Sequence, residues 1–306
     1  MAAIHKYAPF TQLLICIGLF LLFTFGFYGI AIGYILPHFY GISALDIGMG
    51  NFSNPQILHI MKLFQFAYSI FAFLIPALIF FLLWHKKPFK YAGLSSKIHW
   101  GWAFAGIIIL FASLPGVHLL SDWNQQISFG PFEESFRAMQ QRARDMTEAM
   151  LKMPDTSSLL FDLLLIAIIP AIAEEFFFRG AIQRIMIKLV HKVWLGILIT
   201  AVFFSLVHGE MFGFFPRVAL GLVLGLLYYF SGNLWYPIIV HMVNNGFQVV
   251  LVFLYQHHYI TMDITEDSPV PVGFGILSIV LVIGLFFVYK KHVPQNPNKV
   301  LWSGQK

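Results

Sequence analysis

Apolar residues come in eight long runs, near residues 11 to 37, 57 to 84, 99 to 120, 158 to 187, 193 to 209, 216 to 231, 234 to 256 and 272 to 290, with polar stretches between them. About 20 apolar residues in an α-helix cross the hydrocarbon of a bilayer. Each run is therefore expected to be a transmembrane helix, and the predicted class is all-α, a polytopic membrane helix bundle of about eight spans. Asn54-Pro55 reads as a cap and first-turn proline for the second helix. The stretch between the third and fourth runs has another rhythm. Phe132, Phe136, Met139, Ala143, Met146, Met150 and Met153 recur at alternating spacings of four and three, with charges between them, until Pro154. That period predicts an amphipathic helix in an outer loop. It is expected to lie at the membrane surface or on the bundle rather than to grip substrate as a lid.

Composition agrees with the pattern. The chain is 58% hydrophobic and 11% charged, where a soluble domain carries about 25% charged residues. The single cysteine, Cys16, lies in the first apolar run and excludes an intrachain disulfide framework. That run is too long for a signal-peptide core and is expected to stay as a helix. Six tryptophans, Trp84, Trp100, Trp102, Trp123, Trp194 and Trp235, fall at predicted helix ends, where an interfacial belt places them.

Charge sets orientation. Lys6, the group Lys86, Lys87, Lys90 and Lys97, the group Arg179, Arg184, Lys188 and Lys192, and the group Lys290, Lys291, Lys299 and Lys306 fall toward one side, which carries no Asp or Glu. The opposite loops hold Asp46, Asp122, the mixed-charge stretch from Glu133 to Asp155, and Asp263, Glu266 and Asp267. By the positive-inside rule both termini are expected in the cytoplasm. The formal charge of +5 is therefore read as membrane orientation, with no nucleic-acid partner. Arg184 and Lys188 are expected at the cytoplasmic interface.

Within the spans a few polar residues stand out. Glu174 and Glu175 are adjacent on the fourth apolar run, and ionisable side chains at that depth normally face a bundle interior or a wet cavity. Glu175 and Arg179 are at i and i+4 and can pair on one face. Glu174 is rotated by about 100° from Glu175 and is left as the working carboxylate. Phe204 with His208, and His241 with Asn245, are also i, i+4 pairs on later helices. Glu174 and His208 are equidistant from residue 191, so an antiparallel pair of helices brings them to one level. Counting from Arg184 and Lys188 puts Glu174 about 15 to 20 Å deep, and the site is expected to open to the cytoplasmic side. Asp162, His257 and His258 are left outside the site. Gly221 and Gly225 form a small-xxx-small packing face.

These groups suit peptide hydrolysis. A shielded carboxylate can act as general base on water, His208 can hold the same water, and His241 and Asn245 can donate to a developing oxyanion. Imidazole and carboxylate also bind divalent metals such as zinc, with Glu174, His208 and His241 as candidates, but His-Glu-x-x-His is absent and the residues leave the metal open. Buried Glu and His also build proton relays, so a proton- or metal-coupled transporter is the alternative class, although no inverted repeat is visible. A catalytically silent binding or immunity protein is the third.

Glu174-Glu175-x-x-x-Arg179, Phe204-x-x-x-His208 and His241-x-x-x-Asn245, in that order, resemble the three motifs of the CAAX-protease and bacteriocin-processing (CPBP, or Abi) family of intramembrane metalloproteases. The resemblance implies a glutamate-dependent endopeptidase with its site in the membrane and open to the cytosol. It also implies Glu174 and His208 as the water- or metal-holding pair, with His241 and Asn245 stabilising the oxyanion. In the eukaryotic branch the substrate is a prenylated protein cut just after the modified cysteine, and other members are linked to bacteriocin maturation, self-immunity or protein anchoring. The expected partners are a membrane-bound or lipid-modified protein or peptide and the bilayer. The expected division is three N-terminal helices with the amphipathic loop helix (1–157), a core of four transmembrane helices (158–256), and a last helix with a cytoplasmic tail (257–306).

Overall fold

The computed structural model describes residues 7–43, 55–84, 87–261 and 270–294. Lys6, Asp46, Asn54, Lys86, Asp263, Glu266, Asp267, Lys299 and Lys306, used above for orientation and capping, lie outside them. The described residues form a helical bundle: α1 (Pro9–Tyr40), α2 (Ile57–Trp84) and α3 (Trp100–Gln125), the amphipathic α4 (Glu133–Met150), α5 (Thr156–Val190) and α6 (Val193–Val207), α7 (Phe214–Ser231), and α8 (Trp235–Gln256) and α9 (Val272–His292). All eight apolar runs are helices, and no strand occurs among the described residues. Seven are long and apolar enough to cross a membrane.

The exception is α6. Its 15 residues rise only about 22 Å, short of the roughly 30 Å hydrocarbon core. The turn after it completes the passage. Asn124 Nδ2 at the end of α3 donates to the Met211 carbonyl (3.0 Å), and the Phe215 N–H donates to Asn124 Oδ1 (2.8 Å). The α6–α7 turn thus reaches the level at which α3 ends, and the alternation of helix direction is kept.

The two ends of the bundle differ. At one end Lys188 faces the Trp84 and Tyr91 rings, Lys290 faces Phe230, and Trp102 meets Tyr289. This is the basic end. At the other, Gln256 and His257 at the end of α8 bind the Leu151 and Met153 carbonyls, and α4 lies across the α6–α7 turn, with Arg137 over Phe212 at 4.6 Å. Asp155 caps α5 at this end. The Ser158 N–H, then the Ser157 and Ser158 hydroxyls, donate to it and hold its carboxyl down to about 2, so the cap persists until the pH falls that far.

Packing toward the basic end is dense and aromatic. Phe81, Phe177, Phe178, Phe204 and Tyr228 are each at most 1% exposed. Arg184, expected at the cytoplasmic interface, lies at the basic end but is buried within the protein. Its guanidinium lies 3.7 Å from the Tyr91 ring centroid and donates to the Tyr91 carbonyl and the Tyr228 hydroxyl. A cation can sit among apolar helices when acceptors and a π-face replace its water. Asp162 also gains a partner that local sequence does not signal. Lys62 Nζ binds both of its oxygens at 2.8 Å and ties α2 to α5.

Lipid tails are as apolar as leucine, so membrane helices associate through close packing and polar bridges. Gly221 and Gly225 serve both. Arg179 Nη2 donates to the Gly221 carbonyl (3.2 Å) and Gln183 Nε2 to the Gly225 carbonyl (3.0 Å). A Cβ on Gly225 would stand 2.8 Å from both Gln183 Oε1 and Ile197 Cγ2. Gly225→Ala is expected to destabilise the bundle by about 1–3 kcal/mol, the usual cost of overpacking. Gly18→Ala, with nothing within 4 Å of the added methyl, should not lower the thermal unfolding temperature in detergent, and Gly225→Ala should.

Candidate active site

The polar residues of the three motifs come from α5, α6 and α8. In α5 the backbone is π-helical over Leu163–Ile168 and again over Phe176–Ile182, with an α-helical segment, Ile169–Glu175, between them. Such stretches often mark functional sites. Pro170, at the start of that segment, has no N–H to give to the carbonyl four residues earlier. That carbonyl belongs to Ile166, and it accepts from Asn245 Nδ2 of α8 at 3.4 Å. The proline thus leaves an acceptor that fixes the asparagine's orientation.

The two glutamates are divided as their rotation predicts. Glu175 is fully buried, and its Oε1 accepts from Arg179 Nη1 at 2.7 Å and from His241 Nδ1 at 2.9 Å. Glu174 is 9% exposed and lines a cavity of about 520 Å³ together with His208 and Asn245. Counting from residue 191 therefore brought Glu174 and His208 to one wall, as expected. His241 is 3% exposed, and its Nε2 stands 3.9 Å from Glu174 Oε2. One imidazole thus bridges the two carboxylates.

Tautomers follow from the acceptors. His208 Nδ1 faces the Phe204 carbonyl at 2.8 Å. A carbonyl only accepts, so Nδ1 carries the proton and the neutral ring keeps its lone pair on Nε2. His241 Nδ1 faces a carboxylate held by a guanidinium, which also only accepts, so the neutral ring again keeps its lone pair on Nε2. Phe204 is the packing centre of the group. The Arg179 guanidinium lies 4.8 Å from its ring centroid, and its ring meets those of His208 (4.8 Å) and His241 (6.0 Å).

The zinc candidates do not gather. Among the described residues no three His, Cys, Asp or Glu side chains form a metal-binding group. Glu174, His208 and His241 are thus not gathered as a three-ligand set.

The cavity has walls that the motifs do not announce. Tyr28 of α1, Gln65 and Tyr68 of α2, and Glu210 beyond α6 face it, as do Met146 and Met150 of α4. Glu210 is paired with Arg217 at 2.8 Å. Its place two residues after His208 was the only signal available. The amphipathic helix lies on the bundle, as expected, and its apolar face covers the cavity. Phe177, Phe178 and Phe204, with Arg179 and Arg184, form a buried layer on the basic-end side of Glu174. The cavity extends toward the end that carries α4 and the α6–α7 turn.

Fold and site together define a polytopic all-α membrane protein with a carboxylate–imidazole cluster facing an inter-helix cavity. Residues 156–247 match the family model described as Type II CAAX prenyl endopeptidase Rce1-like. This is the family that the three motifs resemble, and all three lie inside the matched segment. The match supports a CAAX-type intramembrane peptidase in general. No curated protein and no solved structure matches the chain.

Proposed function

We propose that the protein is an intramembrane endopeptidase that hydrolyses a peptide bond in a membrane-associated polypeptide, with Glu174 as general base. One observation carries this reading. Glu174 and His208 face a common cavity while the neighbouring Glu175 is withdrawn into contacts with Arg179 and His241. A carboxylate free of a cation and beside an imidazole acceptor is what water activation needs.

In the proposed step, water in the cavity donates one hydrogen bond to Glu174 and the other to His208 Nε2. Glu174 takes its proton as the oxygen attacks the scissile carbonyl carbon. The carbonyl π-pair moves onto oxygen, and Asn245 meets the charge with the amide hydrogen it does not give to Ile166. His241 can add a donor only when Nε2 is protonated as well as Nδ1, a state in which it is ion-paired with both Glu174 and Glu175. The C–N bond then breaks, and the proton held by Glu174 passes to the leaving amine. Glu175 and Arg179 touch no reacting atom and act by positioning His241.

The test uses purified protein in nanodiscs with a pool of membrane-anchored peptides, the products being read by mass spectrometry. His208→Ala should lower cleavage by about a hundredfold, the lower range for a general acid–base partner, while the protein stays folded. Undiminished cleavage in that variant would remove His208 from the mechanism.

A further inference from the structure

A second recess, of about 500 Å³, lies at the basic end and shares no lining residue with the cavity at Glu174. It forms where the start of α6 meets the ends of α7 and α9. Lys192, Trp194 and Leu195 line it from the α6 side, Tyr229 and Phe230 from α7, and Lys290 from α9. Phe230 is buried and holds the three helices to this shape. Its ring meets those of Trp194 at 6.3 Å and Phe286 at 6.1 Å, and Lys290 Nζ stands 6.0 Å from its centroid.

The recess has one sign of charge. Its lining includes two lysines and no Asp or Glu. Residues 188–195, 229–235 and 287–294, which make up these helix ends, contain no carboxylate side chain either. Among the described residues neither Lys192 nor Lys290 is in an ion pair. Two like charges facing one space repel, and an anion between them removes that cost.

The surface deeper in the membrane selects the kind of anion. Leu198 follows Leu195 by one helical turn on α6, and Phe287 and Ile283 lie one and two turns before Lys290 on α9. All four apolar side chains are exposed, so two hydrocarbon-facing tracks lead away from the recess into the bilayer. Trp194, 63% exposed at its rim, suits the level of the head groups. A soluble phosphate would meet the lysines alone, whereas a phospholipid uses the lysines and both tracks.

We propose that this recess binds an anionic phospholipid, with its phosphate between Lys192 and Lys290 and its acyl chains along Leu195 and Leu198 of α6 and Phe287 and Ile283 of α9. Basic pockets between membrane helices hold anionic head groups in this way. Bound there, the lipid bridges α6, which leads to His208, and α9. The site does not depend on the peptidase reading.

The test uses the full chain in detergent with equal amounts of phosphatidylglycerol and phosphatidylcholine, the retained lipids being counted by native mass spectrometry. Wild type should keep one phosphatidylglycerol in preference to phosphatidylcholine. Each lysine near a membrane surface adds about fivefold to the attraction for anionic lipid, so Lys192→Gln with Lys290→Gln should lower the preference by about twenty- to thirtyfold. Lys192→Arg with Lys290→Arg should keep it. Lys97→Gln with Lys291→Gln removes two exposed lysines from the same end and should leave it close to wild type. No preference in wild type, or an unchanged one after Lys192→Gln with Lys290→Gln, would overturn the proposal. Equal losses in the two glutamine pairs would also overturn it, by assigning the preference to diffuse surface charge. Excess inorganic phosphate should leave the lipid bound, and displacement by it would make this a site for free phosphate instead.

Discussion

Replacing Glu174 by glutamine is expected to lower peptide hydrolysis by about a hundred- to ten-thousandfold, the range that general acid–base catalysis supplies. The substitution is nearly isosteric and removes a carboxylate that shares the cavity wall with His208, stands 3.9 Å from His241 and has no Lys or Arg partner among the described residues. Stability should change little, because Glu174 accepts no short hydrogen bond that holds the helices together. Equal expression and an unchanged unfolding temperature must accompany the lost activity. Cleavage retained within a factor of a few would place the base elsewhere, and Glu210 would be the next carboxylate on the same wall to test.

Arg179→Met is expected to act on stability. The guanidinium is 1% exposed and meets Glu175 Oε1, the Gly221 carbonyl and the Phe204 ring. Removing it leaves a carboxylate in a low-dielectric interior with only His241 beside it. Breaking one side of a buried pair costs about 3–5 kcal/mol, whereas removing both partners costs much less. The double variant Glu175→Gln with Arg179→Met should therefore unfold later than Arg179→Met alone in a denaturing-detergent titration. If the single variant were as stable as wild type, the pair would not be structural. Activity gives a second readout, since His241 Nδ1 in the double variant faces a neutral carboxamide in place of a carboxylate even where the fold is regained.

Much of this arrangement was legible because helix geometry is local. Apolar runs gave the helices, an i, i+4 spacing gave the Glu175–Arg179 contact, and a rotation of one residue separated Glu174 from it. Equal distances from residue 191 brought Glu174 and His208 to one wall. What escaped the sequence depends on neighbours that are distant in the chain. Lys62 and Asp162 are 100 residues apart, and nothing near either announces the other. The contact of Asn245 with the Ile166 carbonyl needs both the proline-altered backbone of α5 and the docking of α8. Periodicity showed that α4 has an apolar face, but the cavity beneath that face is built from other helices. Depth can be counted along one helix, but the buried layer between Arg184 and Glu175 is made by aromatic side chains of several helices.

The central claim is that Glu174 makes this chain a peptidase for membrane-associated polypeptides. The most direct measurement compares, by mass spectrometry, the membrane proteins and released peptides of cells carrying wild-type protein or Glu174→Gln at equal abundance. The account predicts that defined precursors accumulate uncut in the variant. Matching profiles, under conditions where deletion of the protein has a phenotype, would contradict it and assign the cavity to binding or transport.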